Sequence, residues 1–144
     1  MRIEQTFRVG RPPEAVFDYV TDPAHLAEWQ TSKTHVEQVT PGPVGLGTRV
    51  RERTKPPGGK EFEQLVEFSE FERPSRFGTH IVDGPQPIDG RWTFTPDADG
   101  TRVAFVAEGE LRGPMRFLGP VVQRVIARQF AGYHDHLRRN VEAG

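Results

Sequence analysis

The chain contains no cysteine. That excludes disulfides, Cys-ligated zinc and a thiol nucleophile. No apolar run approaches the ~18 residues of a membrane-spanning helix, so no membrane insertion is expected. The opening residues, MRIEQTFRVGRPP, lack an apolar leader segment, and the cytoplasm is the expected location. No sign of charge dominates: 19 basic residues face 20 acidic ones, for a net charge of −1. Nucleic acid is therefore not an expected partner. The phosphate-binding P-loop, the dinucleotide fingerprint, HExxH and GxSxG are all missing. The three serines, Ser32, Ser69 and Ser75, do not have the surroundings of a hydrolase nucleophile. Leucine and isoleucine are scarce, at six and four.

What is present is still enough for a core. Only 35% of the residues count as hydrophobic when glycine is left out. Counted with glycine and without tyrosine, 63 of 144 residues are apolar, close to the ~45–50% of an ordinary globular domain. Ten Phe and fifteen Val carry most of it. The length fits one domain spanning 1–144. Fifteen Gly and thirteen Pro are scattered along the chain and read as punctuation between short elements.

Residues 2–9 alternate, with Ile3, Gln5, Phe7 and Val9 on one face, which predicts a half-buried strand. Pro12-Pro13-Glu14 opens a helix whose apolar side is Val16, Phe17 and Val20. Asp22 is placed to cap a short second helix running from Leu26 to Trp29. From residue 34 the period is two. Strands are expected over 34–39 and 48–54, and then from Glu61 onward. The last two form a hairpin with Arg49, Arg51 and Arg53 set against Glu61, Glu63 and Glu67 on the solvent side. Phe77, Thr79 and Ile81 face inward from the next strand, with His80 outward. Ile88, Gly90, Trp92 and Phe94 face inward from another, with Arg91 outward. Asp97–Gly100 reads as a four-residue hairpin loop, after which Val103, Phe105 and Ala107 return on the inner face. Pairing Phe94 with Val103 and Trp92 with Phe105 keeps both faces in phase.

From Pro114 to Glu142 the period is 3.6. Met115, Val122, Ile126, Phe130, Tyr133 and Leu137 form the apolar stripe, widened at its start by Leu118, Val121 and Val125. Pro120 either kinks this helix or marks its true start. The order is β-α-α-β-β-β-β-β-β-α. A run of antiparallel strands buries one face, and the last helix is the one element long enough to cover it. The expected fold class is α+β: a strongly curved antiparallel sheet of six to seven strands wrapped on a long C-terminal helix, with two short helices after the first strand. Such a sheet cannot close fully on a helix, and the gap is a cavity unless large side chains fill it.

This order of elements resembles the START-like helix-grip superfamily (SRPBCC), in its polyketide cyclase/dehydratase-type branch. The resembling stretches are Pro13-Glu-Ala-Val-Phe-Asp-Tyr-Val-Thr-Asp-Pro with Leu26-Ala-Glu-Trp29; Gly42-Pro-Val-Gly-Leu-Gly-Thr-Arg49; Phe71-Glu-Arg-Pro-Ser-Arg76; Trp92-Thr-Phe-Thr-Pro with Asp99-Gly-Thr-Arg-Val103; and Leu118-Gly-Pro-Val-Val with Leu137-Arg-Arg-Asn-Val-Glu142. They are helix starts, turns and core positions, so they speak to fold more than to function. The resemblance implies an internal cavity for an apolar, often aromatic, small molecule.

Chemistry-bearing residues are few. His134-Asp135-His136 suggests a metal, but residues two apart on a helix point about 200° from one another and cannot share an ion. His136 is expected near the buried side and His134 near the flank. No metal and no cofactor are expected. Glu52 and Gln64 are assigned inward beside Val50, Phe62 and Val66, as opposite or diagonal neighbours in their hairpin. A buried carboxylate is costly unless paired or protonated. Glu52 therefore either meets water or a helix Arg at the open end of the sheet, anchors a ligand, or acts as acid or base on a ligand enol or carbonyl. Ile126, Gln129, Phe130 and Tyr133 face the sheet from the helix, and Trp29, Trp92, Phe94 and Phe105 come from the other walls. Such a set is either plain core or the wall of a pocket for a planar, partly polar ligand.

Three functions are compatible with this. The first is a binder of a small hydrophobic molecule, lipid-like, aromatic or polyketide. The second is a polyketide cyclase/dehydratase-like enzyme that works by positioning, with Glu52 or Tyr133 moving protons. The third is a protein-interaction module without ligand. A monomer or homodimer is expected.

Overall fold

The structure, a computed structural model, describes residues 1–144. In chain order it contains β1 (Arg2–Val9), α1 (Pro13–Val20), a 3-10 turn (Pro23–His25), α2 (Leu26–Trp29), β2 (Lys33–Gln38), β3 (Arg49–Thr54), β4 (Phe62–Glu72), β5 (Arg76–Asp83), β6 (Ile88–Asp97), β7 (Gly100–Gly109), a second 3-10 turn (Gly113–Leu118) and α3 (Gly119–Ala143). All seven strands join one antiparallel sheet in the order β1-β7-β6-β5-β4-β3-β2. This is the helix-grip fold. The two edge strands, β1 and β2, are consecutive in the chain, and α1 and α2 connect them. Helices thus bridge the sheet's opening, and α3 lies along its concave side.

Local chemistry explains the elements. Pro13 occupies the first turn of α1, where an absent N–H costs nothing, and Glu14 sits at its positive end. Val16, Phe17 and Val20 are buried. The Asp22 carboxylate accepts from the Ala24 N–H at 2.9 Å and caps the turn that leads into α2. On the convex face, Arg49 reaches Glu67 at 3.2 Å, Arg51 reaches Glu63 at 3.4 Å and Arg53 reaches Glu61 at 4.0 Å. Arg49 is directly opposite its Glu, whereas the other two pairs are diagonal. Exposed pairs of this kind contribute at most about 1 kcal/mol each, so they guide register more than stability.

The core joins α1, α3 and the inner faces of β1, β6 and β7. Phe94 pairs with Val103 and Trp92 with Phe105, the register that the alternation predicts. Trp92 Nε1 donates to His134 Nε2 at 3.1 Å, His134 Nδ1 donates to Gln5 Oε1 at 2.8 Å, and Gln5 Nε2 donates to the Ala127 carbonyl at 2.7 Å. This chain of bonds ties β6, α3 and β1 together inside an aromatic shell.

Four expectations need correction. The C-terminal helix does not start at Pro114: the chain runs through a 3-10 turn, and α3 starts at Gly119 with Pro120 in its first turn. Proline lacks the N–H that a continuous helix would require there. Leu118, Val121 and Val125 do not widen a buried stripe but are exposed, Val125 by 63%, as is Met115; Met115, Val121 and Val125 stand at an unfilled gap between sheet and helix. The histidines are reversed. His134 is only 3% exposed, while His136 is partly exposed. The second half of α3 rolls toward β1, where Phe7 stacks on His134 at 4.7 Å. Finally, Asp97 pairs with Gly100, so the hairpin turn is the two residues Ala98 and Asp99, with Ala98 at φ 55°.

Candidate functional site

Sheet and α3 do not fill the space between them. A cavity of about 520 Å³ lies between β3–β6, α2 and the first half of α3. Its size falls within the ~300–1,000 Å³ of small-molecule sites. Trp29 closes the α2 side. Val50, Phe62, Val66 and Trp92 come from the sheet, and Ile126, Gln129, Phe130 and Tyr133 from α3. Met115, Val121 and Val125 line it while remaining exposed to solvent, which places its mouth at the start of α3. The Trp29 indole N–H is the single buried side-chain polar atom without a hydrogen-bond partner.

One end of this apolar space is polar. Glu52 and Gln64 are direct cross-strand partners, and Gln64 Nε2 donates to Glu52 Oε1 at 3.0 Å. Lys33 Nζ lies 2.9 Å from the same oxygen and donates to Thr54 Oγ1 at 2.9 Å. Both charged side chains are almost wholly buried, 7% exposed for Lys33 and 8% for Glu52. The Tyr133 hydroxyl hydrogen-bonds Ser32. Burial chiefly, with the negative Glu52 adding to it, pushes the Tyr133 phenol above its usual range, so it stays protonated near neutral pH. His134, behind the wall, is held down from 6.5 to about 3 by burial. It is neutral, with its proton on Nδ1 toward Gln5 and its Nε2 lone pair toward Trp92. No group of three or more His, Asp or Glu side chains is placed to hold a metal ion.

The family model for polyketide cyclase / dehydrase and lipid transport proteins matches residues 1–142. The chain belongs to that family. Solved structures share the fold of this cyclase/dehydrase and lipid transport family member at low identity. The Thermus thermophilus protein TTHA0849 is 24% identical with a TM-score of 0.86, over 99% of this chain and 98% of that one. A START superfamily protein from Mycobacterium smegmatis is 16% identical with a TM-score of 0.81, over 99% and 97%. The ZhuI aromatase/cyclase from Streptomyces sp. R1128 is 16% identical with a TM-score of 0.77, over 99% and 93%. At these identities the likeness concerns fold. No curated protein matches the chain. No helix is long and apolar enough to cross a membrane.

Within this family member, eleven of the thirteen residues expected at the site line the cavity: Trp29, Val50, Glu52, Phe62, Gln64, Val66, Trp92, Ile126, Gln129, Phe130 and Tyr133. Phe94 and Phe105 do not. Phe94 packs edge-on against Phe17 at 5.7 Å, and Phe105 lies 4.7 Å from both Trp92 and Phe130. They point inward as the alternation requires, but where α1 and the second half of α3 already fill the space. Lys33 lies outside the expected set. Period-two alternation from Val36 turns it outward, but the register shifts between Lys33 and His35. That irregularity reverses the facing of the strand's first residues. Thr79 and Ile81 also line the wall, and their alternation with Phe77 already pointed them inward.

Proposed function

We propose that this protein binds an apolar, planar small molecule, aromatic, polyketide or lipid-like, in the space between sheet and α3, with the ligand's polar end toward Glu52, Gln64 and Tyr133. The observation that carries this reading is the hollow itself. A dozen large side chains surround about 520 Å³ that none of them enters, although close packing is what stabilises a protein interior. An unfilled apolar space forfeits dispersion contacts that a ligand would restore.

The test uses the protein's own reporters. Its only two tryptophans, Trp29 and Trp92, both line the cavity. Titration with anthracene, which absorbs where indole emits, is expected to quench both in a saturable one-to-one manner. Absence of saturable quenching would overturn the proposal.

A second reading, an enzyme that folds and dehydrates a polyketone, is favoured by one observation. The Glu52 carboxylate and a protonated Tyr133 hydroxyl meet at the same end of the cavity, where base and acid could serve one substrate. Under this reading Glu52→Gln abolishes turnover of a poly-β-ketone analogue. A Glu52→Gln protein as fast as the parent would refute it.

A further inference from the structure

The polar end of the cavity has a charge balance that the reading above does not use. Lys33 and Glu52 are opposite charges, both buried, and paired with each other. Asp22, the other charged wall residue, is half exposed and occupied by Ala24 and His25. The interior pole is therefore neutral overall. It is also incompletely satisfied. An ammonium has three donors; Lys33 spends one on Thr54 and stands 2.9 Å from Glu52 Oε1 as an ion pair. The Gln64 hydrogen bond and the closest approach of the ammonium both fall on Glu52 Oε1. Glu52 Oε2 accepts no hydrogen bond and is not sealed from space, and Glu52 lines the cavity.

A donor that Thr54 does not use and an acceptor oxygen without a hydrogen bond thus belong to one ion pair at the polar end of the cavity. A hydroxyl satisfies both at once, since it has one proton to give and lone pairs to accept. A carboxylate would repel Glu52, and an ammonium would repel Lys33. Either would also bring a net charge into a place where desolvation is costly. We propose that Lys33 and Glu52 together select an uncharged hydroxyl, phenolic or enolic, on an apolar planar body, the hydroxyl donating to Glu52 Oε2 and accepting from Lys33 Nζ. Lys33 is the specificity-determining residue of this pair, because its charge offsets that of the carboxylate and keeps the pole open to a neutral guest. The inference rests on the ligand-binding reading and adds the identity of the head group.

Three probes share one body: 2-anthrol, anthracene-2-carboxylate and anthracene. At pH 7 the first is neutral and the second ionised. In the parent protein 2-anthrol is expected to bind at least about tenfold more tightly than the carboxylate, and more tightly than anthracene. Glu52→Gln leaves the Lys33 charge unopposed, so preference is expected to shift about tenfold or more toward the carboxylate. Removing Lys33 alone risks unfolding by leaving Glu52 unpaired. The double variant Lys33→Met with Glu52→Leu removes both charges, and it is expected to bind anthracene and 2-anthrol equally. Equal binding of all three probes by the parent, or an unchanged preference in Glu52→Gln, would overturn this proposal and leave the ligand-binding reading standing. Failure of all three, anthracene included, would overturn both.

Discussion

His134 Nε2 accepts the Trp92 indole N–H at 3.1 Å, so a wall residue of the cavity is held by a histidine that must stay neutral. Phe7, Trp29, Phe105 and Phe130 enclose the ring, and no charged side chain is its hydrogen-bond partner. Protonation would replace an acceptor with a donor facing a donor. This sets a pH dependence with a definite sign. Folded, His134 titrates at about 3; its ordinary value is 6.5. Between those values the unfolded chain binds a proton that the folded chain refuses. The stability from this group is complete above pH 6.5 and is lost as pH falls toward 3. From pH 6.5 to 5 the loss is about 2 kcal/mol. Urea denaturation across that range measures it. His134→Gln, which cannot titrate, should flatten this part of the profile, and an equally steep profile in the variant would assign the effect elsewhere.

The buried pair Lys33–Glu52 should behave asymmetrically. Lys33→Ala leaves a carboxylate buried with only the Gln64 amide, at a cost of about 3–5 kcal/mol. Replacing both charges, Lys33→Met with Glu52→Leu, should change stability by less than about 2 kcal/mol in either direction. Thermal unfolding of the two variants distinguishes them. Equal destabilisation would mean that the pair is worth more than its desolvation.

Phe105 and Phe62 are both inward phenylalanines, yet they should respond differently to truncation. Phe105 is 1% exposed and packed on every side. Phe105→Ala should cost about 3–5 kcal/mol. Phe62 faces the cavity and is partly exposed, so it has fewer atoms to lose contact with. Phe62→Ala should cost under about 2 kcal/mol while weakening anthracene binding. Denaturation and quenching titrations on the same two variants check both halves.

The turn at Ala98 places a side chain at φ 55°, where a Cβ costs roughly 1–2 kcal/mol. Glycine removes that strain and gives back part of the gain through its freer unfolded state. Ala98→Gly should therefore raise stability by about 0.5–1 kcal/mol. A lower melting temperature would show the position to be relaxed.

The limits of reading this fold from sequence follow from where period two holds. On β3, β6 and β7, and on β4 as far as Phe68, the alternation runs unbroken, and it yields the facing of Glu52 and Gln64 and the pairing of Trp92 with Phe105. On β2 the shifted register breaks it, and the inward facing of Lys33, half of the buried ion pair, cannot be read from the alternation. Facing alone does not separate wall from core. Phe94 and Phe105 obey the same alternation as Trp92, but what lies across from a strand is decided by the path of α1 and α3. The burial of His134 is hidden for a similar reason: the apolar stripe gives the helix a side, and only packing against β1 shows how far that side turns.

The hollow between sheet and α3, filled by a small molecule, is the centre of this account. Native mass spectrometry of the protein purified from its own cells tests it most directly. The expected result is a species heavier than the 16.3 kDa chain by the mass of one small amphipathic molecule, released on denaturation and absent when Ile126→Trp occupies the space. A bare chain as the only species, in both proteins, would contradict it.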